Sequence, residues 1–394
     1  MPTIQIKNSS QPNITYLPDR KNWKERTERR LAEEQLTREL PEGFPEQLEG
    51  PKLWTGSDYE GKEEQWVYNL TEEELLEIDN AVKDFEATGK PLSAIQKDTF
   101  PLPNLGPKLK KLVEDEVVDG RGFLVVRGIN PDQYSREQQV IAYAGTSAHI
   151  GKRGLQGRHV LGNGSHHVSA AHIKDLVPKK GLDDIIAPAY TNDHQVYHTD
   201  IGDIISLFAV GVAAEGGKSR IASSWTVYNE LARERPDLIE TLASNWAFQD
   251  DFAKEGEPGY YQRPLLYYVE NNLIIQYARR SFTGFGKNPR RDDIPPITEA
   301  QAEALDALHY IAEKYNLGVD FQKGDIQYIN NLSIFHARDG FTDSEEKQRH
   351  LLRLWLHPEN AWKLPKQLEP VWNKIYHKER DEVFPLEPTT LSGL

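Results

Sequence analysis

The sequence contains no cysteine, and this absence excludes several kinds of site at once. Disulfides, thiolate zinc sites, iron–sulfur clusters and cysteine nucleophiles all require the thiol group. Any metal ion must therefore be held by histidine, aspartate or glutamate. The 12 histidines become the residues to examine first.

The chain also lacks a surplus of basic residues and a long apolar run. Its net charge of −14 disfavours nucleic acid and anionic membranes as partners, because both call for a basic face. No window approaches the roughly 20 apolar residues of a membrane-spanning helix. The polar stretch over residues 1–11 has no apolar signal-peptide core. We therefore expect a cytoplasmic protein that binds neither nucleic acid nor membrane.

The chain contains enough apolar and aromatic residues to form a hydrophobic core. It is 38% hydrophobic and contains 17 Tyr, 13 Phe and 8 Trp, which indicates a globular protein rather than a disordered one. The first hundred residues are charged and interrupted by proline. We predict an N-terminal extension over residues 1–100, packed on the body or on a second subunit, and a main domain over residues 101–394. The charged extension is a natural contact for a homodimer.

Capping signals predict helices at several places along the chain. Thr71 and Glu74 form a capping box ahead of apolar residues at helical spacing, and Thr298 with Gln301 forms another. Further helices are predicted over residues 22–40, 224–231 and 236–246.

Apolar runs of strand length dominate the second half of the chain, with few helices between them. This pattern predicts a mainly β protein with flanking helices (α+β), built on an antiparallel jelly roll rather than a doubly wound sheet. Residues 151–191 hold six glycines and four histidines and are predicted to form a long loop, typical of a binding lid or channel wall. The predicted strands cover residues 123–126, 204–214, 273–277, 326–335 and 350–357.

The tripeptide His198-Thr199-Asp200 is the best local signal for chemistry. On an extended segment, side chains two residues apart project to the same side, so His198 and Asp200 can face one ion. His336, at the end of a strand-like run, is the candidate third ligand. Two histidines and one carboxylate form the facial triad of non-haem Fe(II) oxygenases, which leaves positions for a cosubstrate and O2. Alone, the tripeptide is weak evidence, because chance supplies it in many proteins.

A second signal lies in the predicted strand over residues 350–357. Arg349 and Arg353 fall on one face, and leucines occupy the other. Buried arginines are unfavourable unless they meet anions, and a guanidinium binds a carboxylate bidentately. The alternative is a pair of salt bridges to acidic residues of this chain. Upstream, Glu215-Gly216-Gly217-Lys218-Ser219 fails the phosphate-loop pattern and is predicted to form a turn that offers the Ser219 hydroxyl.

Four segments, taken in order, resemble the TauD/TfdA-like family: H-T-D, E-G-G-K-S, N-N-L-S-I-F-H-A-R and R-H-L-L-R-L-W-L. In its overall character the sequence is most similar to the fungal members of this family. The similarity spans roughly residues 120–358. It implies a double-stranded β-helix core of the clavaminate synthase-like kind in the domain over residues 101–394. It also implies Fe(II) as the metal, with 2-oxoglutarate and O2 as cosubstrates.

The same resemblance assigns roles to individual residues. It implies His198, Asp200 and His336 as the iron ligands. It implies that Arg349 and Ser219 bind the distal carboxylate of 2-oxoglutarate. The matching position of Arg353 contacts the substrate in some members and supports the cosubstrate in others, so both roles stay open.

The implied reaction is the oxidation of a C–H bond with decarboxylation of 2-oxoglutarate to succinate and CO2. Hydroxylation is the usual outcome, and desaturation or ring closure can follow from the same radical. A small anionic substrate, such as an amino acid or another carboxylate, is expected because Arg353 would otherwise be an unpaired charge. Gln195, Tyr197, His166 and His167 are further candidate substrate contacts.

Two alternatives belong to other classes of protein. A zinc-dependent hydrolase uses the same two-histidine, one-carboxylate set. This chain lacks an H-E-x-x-H helix, however, and a hydrolase gives no reason for the paired arginines. The second alternative is a non-catalytic β-barrel that binds small anions, in which replacing His198 and Asp200 would leave binding intact.

Overall fold

The computed structural model describes residues 11–161, 164–185, 187–250, 258–377 and 381–391. The α-helices within these ranges are α1 (Arg20–Glu33), α2 (Gly56–Tyr59), α3 (Glu72–Ala87), α4 (Leu105–Val113), α5 (Arg136–Ala148), α6 (Val177–Lys180), α7 (Ser224–Glu234), α8 (Pro236–Ala243), α9 (Arg280–Thr283), α10 (Glu299–Tyr315) and α11 (Glu369–Trp372). The strands are β1 (Val67–Asn69), β2 (Phe123–Arg127), β3 (Gly151–Arg153), β4 (Arg158–Leu161), β5 (Gly164–Val168), β6 (Ala171–Lys174), β7 (Gln195–His198), β8 (Ile204–Gly211), β9 (Glu215–Gly216), β10 (Ser219–Ser223), β11 (Trp246–Gln249), β12 (Tyr260–Arg263), β13 (Leu266–Val269), β14 (Asn272–Ile275), β15 (Leu317–Val319), β16 (Ile326–Asn330), β17 (Ile334–Arg338), β18 (Phe341–Thr342), β19 (His350–Pro358) and β20 (Glu382–Val383).

The larger sheet has the strand order β1-β2-β16-β8-β19-β3, and β6 also pairs with β19. Its outer face packs on α3, α4 and α5. Strand side chains alternate between faces, so Leu352, Leu354 and Leu356 of β19 enter this helical layer. Trp355 points to the other face and joins a different cluster. The predicted alternation is confirmed from Leu352 to Leu356, whereas Arg349 precedes the strand and an irregularity in the pairing lies between His350 and Leu351.

The smaller sheet has the order β15-β10-β17-β7 and faces the larger one. Ile205 and Ile329 of the larger sheet share an apolar cluster with Ile221 and Ile334 of the smaller sheet. The outer face of the smaller sheet is covered by α7, α8 and α10. Two facing sheets with helices outside them match the predicted jelly roll with flanking helices.

Local capping chemistry predicted the two longest helices correctly. Thr71 and Thr298 each accept a hydrogen bond from the amide three residues on, and both capping boxes are closed. The predicted ends are less accurate. The helix expected over residues 22–40 runs from Arg20 to Glu33, and α8 ends at Ala243, before Trp246 opens β11.

The single strand predicted over residues 326–335 is wrong. β16 ends at Asn330, whose side-chain oxygen accepts from the amide of Leu332, and the chain turns before β17 begins at Ile334. β16 pairs with β8 in the larger sheet, whereas β17 pairs with β10 in the smaller one. This turn therefore carries the chain across the sandwich and delivers His336 to the smaller sheet.

The long loop predicted over residues 151–191 is also wrong in part. The segment contains β3, β4, β5, β6 and α6. β3 and β6 both pair with β19 and extend the larger sheet. Ladder pairing satisfies backbone groups that an irregular segment of this length would otherwise leave to water.

The described part of the first hundred residues contacts the rest of the chain at many places, of which two are the pairing of β1 and the packing of α1. β1 pairs in parallel with β2, and α1 packs on α10, where the buried Arg26 and Arg30 meet acidic side chains. The boundary at residue 100 and the homodimer remain predictions. None of the helices in the described ranges is long and apolar enough to cross a membrane.

Candidate metal centre

The two predicted histidine ligands lie directly opposite each other on neighbouring strands. β7 and β17 run antiparallel with His198 in register with His336, and the centroids of the two imidazole rings are 4.1 Å apart. Asp200 follows β7 in the next turn. One donor atom from each of the three residues lies within 4.8 Å of the others. The arrangement brings together the donor atoms that a single metal ion needs.

Hydrogen bonding orients these donors. His198 Nδ1 lies 2.8 Å from the Val196 carbonyl oxygen, so Nδ1 carries the proton and Nε2 is left as the lone-pair donor. Nε2 faces Asp200 Oδ1 at 3.8 Å. The buried Nδ1 of His336 has no hydrogen-bond partner among the described residues. The Gln195 side-chain nitrogen lies 3.2 Å from His198 Nε2, so this imidazole nitrogen has an internal partner that a bound cation would replace.

Ionisation of the cluster suits a divalent cation. Burial lowers the pKa of His198, and it lowers the pKa of His336 to about 3. Burial alone would raise the pKa of Asp200, but Arg353, the two histidines and the hydrogen bond from Trp355 together outweigh it, and the carboxyl has a pKa of about 2. At neutral pH the cluster offers two neutral imidazoles and one carboxylate, a donor set that fits Fe(II).

The Asp200 carboxylate is held by two side chains of β19. Arg353 Nη1 donates to Oδ2 at 2.6 Å, and Trp355 Nε1 lies 3.3 Å from the same oxygen. Arg353 Nε also donates to the Gln156 side-chain oxygen at 2.7 Å. The expectation that Arg353 is otherwise unpaired is therefore wrong: its partner is the carboxylate of a candidate metal ligand. Oδ1 of Asp200 remains directed towards His198.

Hydrogen bonds to its backbone groups fix the turn that carries Asp200. Asn331 accepts from the Asp200 amide at 2.8 Å and donates to the carbonyls of Asp200 and Gly202 at 2.8 and 2.7 Å. The Thr199 amide donates to the Tyr277 carbonyl at 2.8 Å, and the Tyr277 amide donates to Thr199 Oγ1 at 2.8 Å. Both sides of the turn are thus anchored, by residues that the sequence analysis did not single out.

The guanidinium of Arg349 is buried without an ion-pair partner among the described residues. The residue is 5% exposed, its Nε donates to the Gly217 carbonyl at 3.3 Å, and its guanidinium lies 5.6 Å from the Phe341 ring centroid. It forms no ion pair with any residue that the structure describes. Burial, and then the charge of Arg338, lowers the pKa of Arg349 to about 9. Such a group is stabilised by an anion from outside the chain.

Arg338 is a second buried guanidinium that the sequence analysis missed. It lies two residues beyond His336 on β17, and burial lowers its pKa to about 10. Its Nη2 donates to the carbonyl of Thr191 at 2.9 Å and also to that of Asp193. It has no ion-pair partner within the described ranges either. The strand alternation that placed His198 beside Asp200 could have found it.

Ser219 and the preceding Gly217 lie beside the two buried arginines, Arg338 and Arg349. Ser219 pairs with Arg338 across β10 and β17, and its hydroxyl donates to the Gln327 side-chain oxygen at 3.4 Å. Gly217 has a φ of +71°, and a Cβ there would lie 3.0 Å from Cδ of Arg349. The turn predicted for E-G-G-K-S is present, and glycine lets the backbone approach the guanidinium closely.

The remaining candidates lie in different surroundings. Gln195 Nε2 is 3.2 Å from His198 Nε2, so this amide is at the centre. Tyr197 points to the opposite face of β7, where it is buried 5.5 Å from the His309 ring. His166 and His167 lie on β5, in a separate sheet with β4 and β20. The structure brings Gln195, but neither Tyr197 nor these two histidines, to the metal-binding atoms.

Two imidazoles and a carboxylate between the sheets of a double-stranded β-helix define the class of non-haem iron oxygenases. A sequence profile of the family described as "Taurine catabolism dioxygenase TauD, TfdA family" matches residues 88–355. The chain belongs to this family, and it is an enzyme of the Fe(II)/2-oxoglutarate dioxygenase type, with Fe(II) and 2-oxoglutarate as metal and cosubstrate. The zinc hydrolase and the non-catalytic barrel do not agree with this membership.

Two curated relatives match most of the chain. The taurine hydroxylase-like protein SAT17 of the fungus Stachybotrys chartarum is 36% identical over 349 residues, which are 87% of this chain and 89% of that protein. The FR-33289 synthase of Streptomyces rubellomurinus is 26% identical over 328 residues, or 81% and 93% of the two chains. The predicted resemblance to fungal members is confirmed.

Solved structures show the same fold at low sequence identity. Asparagine oxygenase with Fe(II), 2S,3S-3-hydroxyasparagine and succinate has a TM-score of 0.55 at 14% identity, covering 74% of this chain and 93% of that one. The non-heme iron oxygenase OrfP with Fe and alpha-ketoglutaric acid has a TM-score of 0.53 at 16% identity, with the same coverage. The predicted fold class is confirmed.

Proposed function

We propose that this oxygenase acts on a C–H bond of a small anionic substrate and that His198, Asp200 and His336 hold its iron. One observation carries the ligand assignment: donor atoms of the three residues converge within 4.8 Å. Two imidazoles and one carboxylate leave three positions of an octahedral ion for cosubstrate and O2. Oδ1 of Asp200 is the metal-binding oxygen, because Arg353 already occupies Oδ2.

Arg349 binds the distal carboxylate of 2-oxoglutarate in this proposal, and Ser219 donates a second hydrogen bond to it. The support is the burial of Arg349 without an acidic partner in the described chain. Its planar fork matches a carboxylate. When bound, Fe(II) and 2-oxoglutarate supply the oxidising chemistry: one atom of O2 enters succinate as CO2 leaves, and the other oxidises the substrate C–H bond. Hydroxylation is the expected result, with desaturation or ring closure as variants.

Arg353 has a positioning role through Asp200. Its Nη1 and Nε are used by Asp200 and Gln156, and Nη2 is the group with which it can still contact a bound anion. Since the Asp200 carboxylate offsets its charge, Arg353 alone is a weak partner for an anionic substrate.

Arg280 is a better partner for the anionic group of the substrate. It is exposed at the start of α9, three residues beyond the Tyr277 that holds Thr199, and it forms no hydrogen bond or ion pair through its side chain with the described residues. Burial lowers the pKa of His198, and the charges of Arg353 and Arg280 add to this effect. We propose that Arg280 and Gln195 contact the substrate. Hydroxylated asparagine and arginine in the two solved relatives suggest amino acids as the first compounds to try.

The ligand assignment is tested by anaerobic reconstitution with Fe(II) and titration with 2-oxoglutarate, followed by visible spectroscopy. We expect a weak charge-transfer band in the natural protein and none in the variant His198→Ala. Amino acids and small carboxylates can then be screened by succinate release. If no band forms and 2-oxoglutarate does not bind, the proposed site is wrong, and metal analysis for zinc is the next measurement.

A further inference from the structure

Residues 11–33 form a segment, here called the N-terminal strap, that lies outside the stretch matched by the family. Its helix α1 is fixed to α10 by buried contacts. Arg26 Nη1 donates to Asp306 at 2.7 Å, and both side chains are almost fully buried. Trp23 stacks on Tyr310 with ring centroids 4.7 Å apart. The strap is therefore part of the folded body.

The first residues of the strap extend from α1 to the segment between β14 and α10. Gln11 uses both ends of its amide there: Nε2 donates to the Phe282 carbonyl, and Oε1 accepts from the Ile297 amide, each at 3.1 Å. The carbonyl of Thr15 accepts from Arg279 Nε at 2.8 Å. These bonds attach the strap to a segment that itself contacts the metal centre.

One route from the strap to the metal centre passes through Tyr16. Its ring packs edge-on against Phe285 at 4.9 Å, and its hydroxyl oxygen lies 3.4 Å from the Val196 amide, which donates to it. The carbonyl of the same Val196 accepts the proton of His198 Nδ1. The peptide units around Val196 thus connect Tyr16 to the bond that orients a metal-binding imidazole.

A second route passes through Thr15 and Arg279. Two residues before Arg279, the backbone of Tyr277 forms two hydrogen bonds with Thr199, one to its amide and one to its hydroxyl, and Thr199 lies between two candidate ligands. The strap therefore supports His198-Thr199-Asp200 from both sides, through β7 and through the segment after β14. A centre that binds metal needs its donors held within fractions of an ångström, and supporting contacts supply this precision.

We propose that the N-terminal strap is a positioning element of the metal centre and that Tyr16 is its closest positioning residue. This inference rests on the proposed ligand set. A purely architectural strap would affect the unfolding temperature alone. A positioning strap changes the affinity of the folded protein for Fe(II), because misplaced donors bind the ion less tightly.

The experiment uses the full chain and two variants of one residue. Tyr16→Phe removes only the hydroxyl and keeps the ring on Phe285, whereas Tyr16→Ala removes both contacts. Fe(II) is titrated without oxygen at saturating 2-oxoglutarate, well below the unfolding temperature, and the visible band gives the dissociation constant. We expect this constant to rise by about 10-fold or more for Tyr16→Ala, as for lost supporting contacts elsewhere. For Tyr16→Phe we expect about 5-fold, the effect of one hydrogen bond.

Two controls separate positioning from stability. Tyr68→Phe removes a tyrosine hydroxyl that donates to Glu74 at the edge of the larger sheet. Arg127→Gln breaks a buried ion pair with Asp325 that does not involve the strap. Both should bind Fe(II) like the natural protein, although Arg127→Gln should unfold at a lower temperature.

The strap proposal is overturned if both Tyr16 variants bind Fe(II) as the natural protein does. It is equally overturned if Arg127→Gln weakens Fe(II) binding as much as Tyr16→Ala does. If Tyr16→Ala does not fold, Tyr16→Phe alone decides between these results. If the natural protein shows no band at all, the proposed ligand set fails and the strap proposal falls with it.

Discussion

Arg349 directly precedes β19 and Arg353 lies within it, four residues further on, yet their surroundings differ completely. Arg353 donates to Asp200 at 2.6 Å and to Gln156 at 2.7 Å. Arg349 donates to a backbone carbonyl and lies beside the Phe341 ring, with no acidic partner in the described chain. In the sequence the two residues look equivalent, because they fall on one face of an alternating strand.

The difference separates two uses of a buried arginine. A guanidinium that has an internal carboxylate partner orients that partner. A guanidinium that lacks such a partner is available to bind an anion from solution. Until that anion binds, the burial of an unpaired charge lowers the stability of the folded protein. Replacing either arginine by methionine should therefore have opposite effects on the stability of the ligand-free protein.

The largest effect is expected for a variant that loses the metal, because the roles of both arginines depend on it. In His336→Ala one of the three donors is lost, and Fe(II) binding should fall below detection. A ligand that binds only the folded state raises the unfolding temperature. We expect anaerobic Fe(II) to raise it in the natural protein and to leave the variant unchanged, as measured by thermal unfolding followed by circular dichroism. An equal rise in both proteins would place the metal elsewhere.

Arg349→Met tests the unpaired arginine. Loss of a buried charged partner is worth about 2–5 kcal/mol in binding, so affinity for 2-oxoglutarate should fall by about 30-fold or more. Without ligands the variant should be more stable by about 1–3 kcal/mol, because it no longer buries an unpaired charge. Urea unfolding and 2-oxoglutarate titration measure the two effects. Arg349→Lys serves as the control that keeps the charge but not the fork, and a loss of stability in Arg349→Met would contradict the interpretation.

Arg353→Met tests the paired arginine and should act in the opposite direction. It leaves the Asp200 carboxylate buried without its cation, which should destabilise the metal-free protein by about 3–5 kcal/mol. Affinity for Fe(II) should fall by about 10- to 100-fold, as for other groups that orient a metal ligand. Urea unfolding with and without Fe(II) checks both, and the metal should restore part of the lost stability. Unchanged stability would show that the Arg353–Asp200 pair contributes nothing.

Ser219→Ala should have the smallest effect. The hydroxyl supplies one hydrogen bond to the cosubstrate, so affinity for 2-oxoglutarate should fall by about 5-fold. Ser219→Thr keeps the hydroxyl and should bind as the natural protein does. The dependence of succinate release on 2-oxoglutarate concentration gives both values. A loss as large as that of Arg349→Met would assign the main binding role to Ser219 instead.

Local signals predicted the parts of the fold that depend on local chemistry. The boxes at Thr71 and Thr298 needed only residues within one helical turn, and both were confirmed. The break between β16 and β17 was missed, and it has a local and a tertiary part: Asn330 accepts from the Leu332 amide, and the Asn331 side chain binds backbone groups 131 and 129 residues away. The adjacent asparagines are a local turn signal within the run, whereas the sequence gives no sign of the long-range contacts.

The candidate site, like the fold, was predicted only in part. Spacing brought His198 and Asp200 together, the strand-like run that ends at His336 supplied the third candidate, and the family resemblance matched all three. The pairing of Arg353 with Asp200 spans 153 residues and could not be read from either motif. Arg338 follows His336 by two residues on the same strand, so strand alternation alone places it on the face of the candidate ligand.

The side-chain amide of Asn331 gives the metal centre a dependence on covalent integrity. One oxygen and one nitrogen of this amide satisfy three backbone groups of the turn that carries Asp200. Hydrolysis of the amide to a carboxylate, a common lesion of ageing proteins, would replace the donor with an acceptor facing two carbonyls. The resulting repulsion would open the turn beside Asp200. The conformation of this turn therefore depends on the chemical integrity of an amide that belongs to none of the three candidate ligands.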